Sequence, residues 1–191
     1  MSFFGTYFEL GLHHIADIRG YDHILFIIAL CATYTIKQVK ELLILVTAFT
    51  IGHSLTLVLA ALNLITVNAF IIELLIPITI VVTSIYNVSR SPDQSFTRFK
   101  YLMALAFGLI HGMGFSNYFR TILGRESDII GPLLAFNLGL EVGQLLIVIG
   151  FLLLETAFFY LLRPRKASWT LFVSGATAGI SLVIIVEMLV A

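Results

Sequence analysis

The chain has 191 residues, 59% of them hydrophobic and 12% charged, against about 25% charged in an average soluble domain. That balance, with a mean hydropathy of +1.03, reads as an integral membrane protein. Eleven basic residues offset eleven acidic ones, and without a polybasic tail or acidic block nucleic-acid binding is set aside.

The first ten residues carry no basic stretch and no small-residue cleavage site, so no cleaved signal peptide is expected. They read instead as an interfacial helix anchored by Phe3, Phe4, Tyr7 and Phe8. A hydrocarbon core of about 30 Å needs about 20 apolar residues per helix. Six segments near 21–36, 41–62, 68–88, 100–120, 130–162 and 168–190 answer to that, so the fold class is all-α, a polytopic bundle of six transmembrane helices forming one domain over residues 1–191. The first segment is short, with His13 to Gly20 dipping into the membrane or extending the helix. Cys31 lies in its apolar run and, as the chain's one cysteine, has no internal disulfide partner. Pro77 is expected to kink the third segment. Gly131-Pro132 suits the first turn of the fifth, whose length requires a tilt, a bend or a projection into water. Small-residue spacings Gly108–Gly112, Gly139–Gly143 and Gly175–Gly179 allow the last three segments close approach and leave a homo-oligomer open.

Loop charge predicts the orientation. Lys37 and Lys40, then Arg90, Arg98 and Lys100, then Arg163, Arg165 and Lys166 fall in alternate loops, leaving Arg19, Arg120 and Arg125 on the other side. By the positive-inside asymmetry both termini face away from the cytoplasm, in a multi-pass protein of the cell (inner) membrane.

Ionisable residues inside such segments are functional candidates by default, because they are costly to leave unpaired in lipid. Counted from the outer helix ends at 1.5 Å per residue, His53 and His111 both lie roughly 13 Å deep and Glu141 roughly 16 Å. Asn137 and Gln144, about one turn to either side of Glu141, line the same face as pocket residues. Asp22 and His23 reach a similar depth if the chain enters near His14. His13 reads as solvated, Glu73 and Glu187 as snorkelling to the interface, and Glu155 as an inner relay or the partner of a basic side chain.

The metal-ligand set is therefore His23, His53, His111, Asp22 and Glu141, with His14 beside it. Imidazole and carboxylate suit a divalent transition metal such as nickel, cobalt or zinc, whereas an all-oxygen set suits magnesium or calcium. No HExxH or paired CxxC is present, so the signal lies in convergence rather than spacing. Three functions use such a layer. A permease accepts the ion from the outer side. An intramembrane hydrolase keeps the metal and activates water, with Glu141 or Asp22 as general base. A structural subunit uses the polar groups only to hold helices together.

At His14-Ile15 with Gly20-Tyr-Asp-His-Ile-Leu-Phe26, Thr47 to Thr56, Phe107-Gly-Leu-Ile-His-Gly-Met-Gly-Phe115 and Phe136 to Gln144, the chain resembles the HupE/UreJ family, and more closely its second branch. The interval after His14 is two residues longer than in the family's first motif. The resemblance implies a membrane protein of the nickel or cobalt permease type, with Asp22, His23 and His111 at the positions implicated in metal transport.

Overall fold

A computed structural model describes residues 3–18, 20–65, 68–89, 98–123 and 129–190. Arg19, Arg90 and Arg125, used in the loop-charge argument, lie outside the described residues. The described chain is all helical: α1 (Phe3–Ala16), α2 (Asp22–Cys31), α3 (Val39–Ala61), α4 (Ala69–Ser89), α5 (Arg98–Leu123), α6 (Ile130–Leu162) and α7 (Lys166–Val190). A 3-10 turn, Ile36–Gln38, leads into α3. Helices α3 to α7 are long and apolar enough to cross a membrane. Large apolar side chains such as Ile85, Leu153 and Phe172 stand exposed on them, as a lipid-facing surface requires. This is a multi-pass membrane protein.

The first expected span differs. It contains only the ten-residue α2, too short to cross a bilayer alone, and α1 is packed along α6. The reason is in the glycines. A Cβ on Gly11 would stand 2.0 Å from the Phe136 carbonyl oxygen, and one on Gly139 2.0 Å from that of Phe8. Only hydrogen at these positions lets the two backbones touch. Gly11 faces Phe136 and Leu140, Gly139 faces Phe8 and Leu12, and Gly143 faces Leu12 and Ile15, so α1 and α6 run in the same direction.

A second glycine seam joins α3 to α5, also parallel. A Cβ on Gly52 would meet the Leu105 carbonyl oxygen at 2.3 Å, one on Gly108 that of Phe49 at 2.1 Å, and one on Gly112 that of His53 at 2.5 Å. Helices α4 and α7 pair antiparallel through Ser84 and Thr177, whose hydroxyls are 2.9 Å apart. The third spacing, Gly175–Gly179, closes no contact: nothing described lies within 4 Å of either position.

Helix α2 sits among these pairs, and its C-terminal end is held by side chains from its neighbours. Asn87 donates to the Ala29 carbonyl at 2.7 Å, and Thr170 to that of Ala32 at 3.1 Å. Lys166 bridges the Tyr34 carbonyl and Glu155, and Lys100 donates to Thr33 Oγ1 at 2.9 Å. The last carbonyls of a helix lack intrahelical donors and carry partial negative charge, so amide, hydroxyl and ammonium donors stabilise this end. Of the two roles expected for Glu155, the structure displays the basic partner, Lys166.

Candidate functional site

The seams that join the helices also place the histidines. His53 follows Gly52 and His111 precedes Gly112, so the α3–α5 crossing brings both rings to the same neighbourhood. His14 arrives in the last turn of α1 through the α1–α6 seam, and Asp22 and His23 open α2. The His23 ring lies 4.7 Å from that of His14, 4.9 Å from that of His111 and 6.3 Å from that of His53, and His14 lies 5.8 Å from His53.

Ligand atoms of His14, His23 and His53 all lie within 4.8 Å of one another, and so do those of Asp22, His23 and His111. His23 belongs to both groups. His53, His111 and His23 are only 0%, 1% and 5% exposed. Among the described residues, His14 Nε2, His23 Nε2, both nitrogens of His53 and His111 Nδ1 have no hydrogen-bond partner. Leaving a buried polar group unsatisfied costs on the order of 1–3 kcal/mol, so packing alone does not account for several together.

The neighbours set the tautomers. His23 donates twice to Asp22 Oδ1, from its backbone N–H at 2.9 Å and from Nδ1 at 3.1 Å. A carboxylate only accepts, which puts the proton on Nδ1 and the lone pair on Nε2. Thr79 spends its hydroxyl proton on the Ile76 carbonyl at 2.6 Å, so at 3.4 Å from His111 Nε2 it accepts from the ring. His111 Nδ1 is then the lone pair. Both assignments leave an unprotonated nitrogen, His23 Nε2 and His111 Nδ1, without a hydrogen-bond partner among the described residues.

Aromatic rings border this centre, with Phe115 3.9 Å from the His14 ring and Phe136 6.2 Å from that of His53. Phe26 lies 5.3 Å from the His111 ring, Phe49 6.0 Å from His53 and 5.2 Å from His111, and Phe26 also meets Phe107 at 5.6 Å. Phe26, Phe49 and Phe107 lie towards the α2–α3 connection. Two cavities reach the ligand residues elsewhere, one of about 610 Å³ lined by His13, His14 and Asp17, the other of about 330 Å³ lined by Tyr21 and Asp22.

Glu141 stands outside both histidine groups. Half-buried, it accepts from Thr47 Oγ1 at 3.1 Å, while Gln144 accepts from Thr50 Oγ1 at 2.7 Å. Asn137 donates to the Leu133 carbonyl at 2.9 Å, and its Oδ1 has no partner among the described residues. These side chains form a polar tier on α3 and α6 beside the histidines. Sequence reasoning missed Thr79 and the aromatic side. The aromatic signal was present, since Phe26, Phe49 and Phe107 each stand one helical turn from a histidine and on the same side of it. Nothing local couples Thr79 to His111.

Compared with known proteins, residues 1–190 match a family model described as HupE / UreJ protein. No curated protein and no solved structure matches the chain.

Proposed function

The chain belongs to the HupE/UreJ family, and from that premise we propose that it is a membrane permease for a divalent transition metal of the nickel or cobalt type. The observation that carries this reading is the set of ring nitrogens on His14, His23, His53 and His111 that are buried without partners, in two ligand groups that share His23. The ion is the cargo. His14, His23, His53 and His111 supply neutral nitrogen donors, and Asp22 holds His23 in the binding tautomer or joins the ligand set from the second group. Imidazole with one carboxylate matches nickel, cobalt and zinc alike.

We count six crossings, with α1 (Phe3–Ala16) and α2 (Asp22–Cys31) together making the first as one broken helix. A broken helix places two helix ends at the site, where exposed backbone is tolerated only because it lines a cavity. By loop charge the α2–α3 end, with Lys37, Lys40, Arg163 and Arg165, faces the cytoplasm of a cell (inner) membrane, and both termini face the other side. The tier of Thr47, Thr50, Glu141 and Gln144 is then the ion's next station inward.

The aromatic side favours a second reading. A metal closed off towards the cytoplasm suits an intramembrane hydrolase that holds zinc and activates water, with Asp22 or Glu141 as base. A structural subunit would bind no metal.

Metal content tests the three. Protein purified after growth with nickel, cobalt and zinc is expected to carry metal in the wild type and to lose it in His53→Ala and His111→Ala. Metal-free wild type rejects both metal readings. Uptake into proteoliposomes separates the remaining two: transport moves labelled ion across, whereas bound zinc that never crosses supports the hydrolase.

A further inference from the structure

We propose that Glu73 and Glu187 form an acidic collecting mouth through which a divalent cation reaches Asp22. The inference rests on the metal reading above and adds the route of entry. The cavity of about 330 Å³ lies between the start of α2, the first turns of α4 and the last turns of α7, and its lining includes Asp22, Glu73 and Glu187. Three carboxylates therefore share one space, with no lysine or arginine among its described lining residues. The other cavity, beside His14, carries one, Asp17.

Helix energetics give no reason for Glu187, although Glu73 lies near the N-terminal end of α4, where an anion is favoured. Glu187 sits in the last turn of α7, where the helix dipole is negative and a cation rather than an anion stabilises the end. Neither Glu73 nor Glu187 forms an ion pair among the described residues. What the cavity leads to is independent of its charge. Asp22 lines it, and an Asp22 oxygen lies within 4.8 Å of ligand nitrogens on His23 and His111. Those histidines are 5% and 1% exposed, and their Nε2 and Nδ1 have no partner. The acidic space thus adjoins a buried set of empty donors.

Apart from Gly20 and Tyr21, the remaining walls are apolar: Ile76, Pro77, Ile184 and Met188. Charge of one sign in a cleft with low-dielectric walls concentrates counter-ions and raises association rates by about 10- to 1,000-fold, an effect that salt removes. Glu73 and Glu187 collect the cation and pass it to Asp22; the histidines then replace its water.

The test is the kinetics of cobalt binding to the purified full chain in detergent, followed by the visible absorption of the bound ion in a stopped-flow instrument. Glu73→Gln with Glu187→Gln is expected to slow association about tenfold at low ionic strength, leave dissociation unchanged, and match the wild type near 1 M salt. Each single variant, a near-isosteric change at an exposed position, is expected to slow it about threefold, which keeps the test open if the double variant does not fold. Glu9→Gln, an exposed acid on α1 outside this cavity, is expected to behave as the wild type. Wild-type association in the double variant overturns the mouth while leaving the metal site standing. Faster dissociation with unchanged association also overturns it, by making the two residues ligands instead. A wild type that binds no cobalt, nickel or zinc rejects the metal reading itself, and the mouth with it.

Discussion

At the scale of single residues, His23 has the most determined chemistry in the molecule. Its Nδ1 proton is held by Asp22 at 3.1 Å, its Nε2 has no partner among the described residues, and the residue belongs to both ligand groups. A carboxylate behind a ligating imidazole orients the ring and raises its basicity, and its loss commonly costs 10- to 100-fold in metal affinity. Asp22→Asn is therefore expected to weaken nickel or cobalt binding by about that factor in competition with a chelator, and His23→Ala to weaken it further. Equal affinity in Asp22→Asn and the wild type would remove Asp22 from the site. Most of the gathered residues were legible one by one, as ionisable groups inside apolar runs. Glu141 was equally visible, yet its neighbours were not. Phe136 lies beside His14 and His53, and five residues further along a helix is about 140° of rotation, so Glu141 leaves that face and meets Thr47. Depth counts along a helix say nothing about rotation until its packing partner is known.

At the scale of elements, backbone contact between helices decides what the polar residues can reach. Gly108→Ala puts a methyl group 2.1 Å from the Phe49 carbonyl oxygen, so α3 and α5 must separate. Overpacking of this kind costs about 1–3 kcal/mol. The variant is expected to melt at a lower temperature in detergent and to bind less metal, because His53 and His111 ride on the same seam. Gly175→Ala, with nothing described within 4 Å, is expected to change the melting point little, and an equal loss in both variants would refute the seam argument. The three glycine spacings looked alike in sequence. Two became seams and one an open face, since a small-residue stripe offers close approach without naming a partner. The N-terminal helix was legible, but its place in the bundle was hidden for a related reason. Fourteen residues are too few for a span, and only the match of Gly11 with Gly139 and Gly143 shows where it lies.

At the scale of the whole molecule, one end of the bundle is closed and the other holds the acidic cavity. Lys166 ties α7 to Glu155 of α6 and to the chain just after α2. Glu155→Gln leaves a partly buried ammonium without its counter-charge, a change that costs on the order of 3 kcal/mol in buried pairs, less where water screens it. A lower melting temperature is expected, with recovery when Lys166→Met is added. A double variant no more stable than Glu155→Gln alone would show that the pair does not act as a unit. The amino-acid sequence by itself determined that this is a polytopic membrane protein of the HupE/UreJ family with ionisable groups buried in its helices, because composition, segment length and motif are properties of the chain in order. Only the tertiary structure decided which of those groups meet, that α1 joins the bundle, and that Glu73 and Glu187 share a space with Asp22. Those are distances between helices remote in sequence, set by how the helices pair: two pairs through glycines against backbone, and α4 with α7 through side chains such as Ser84 and Thr177.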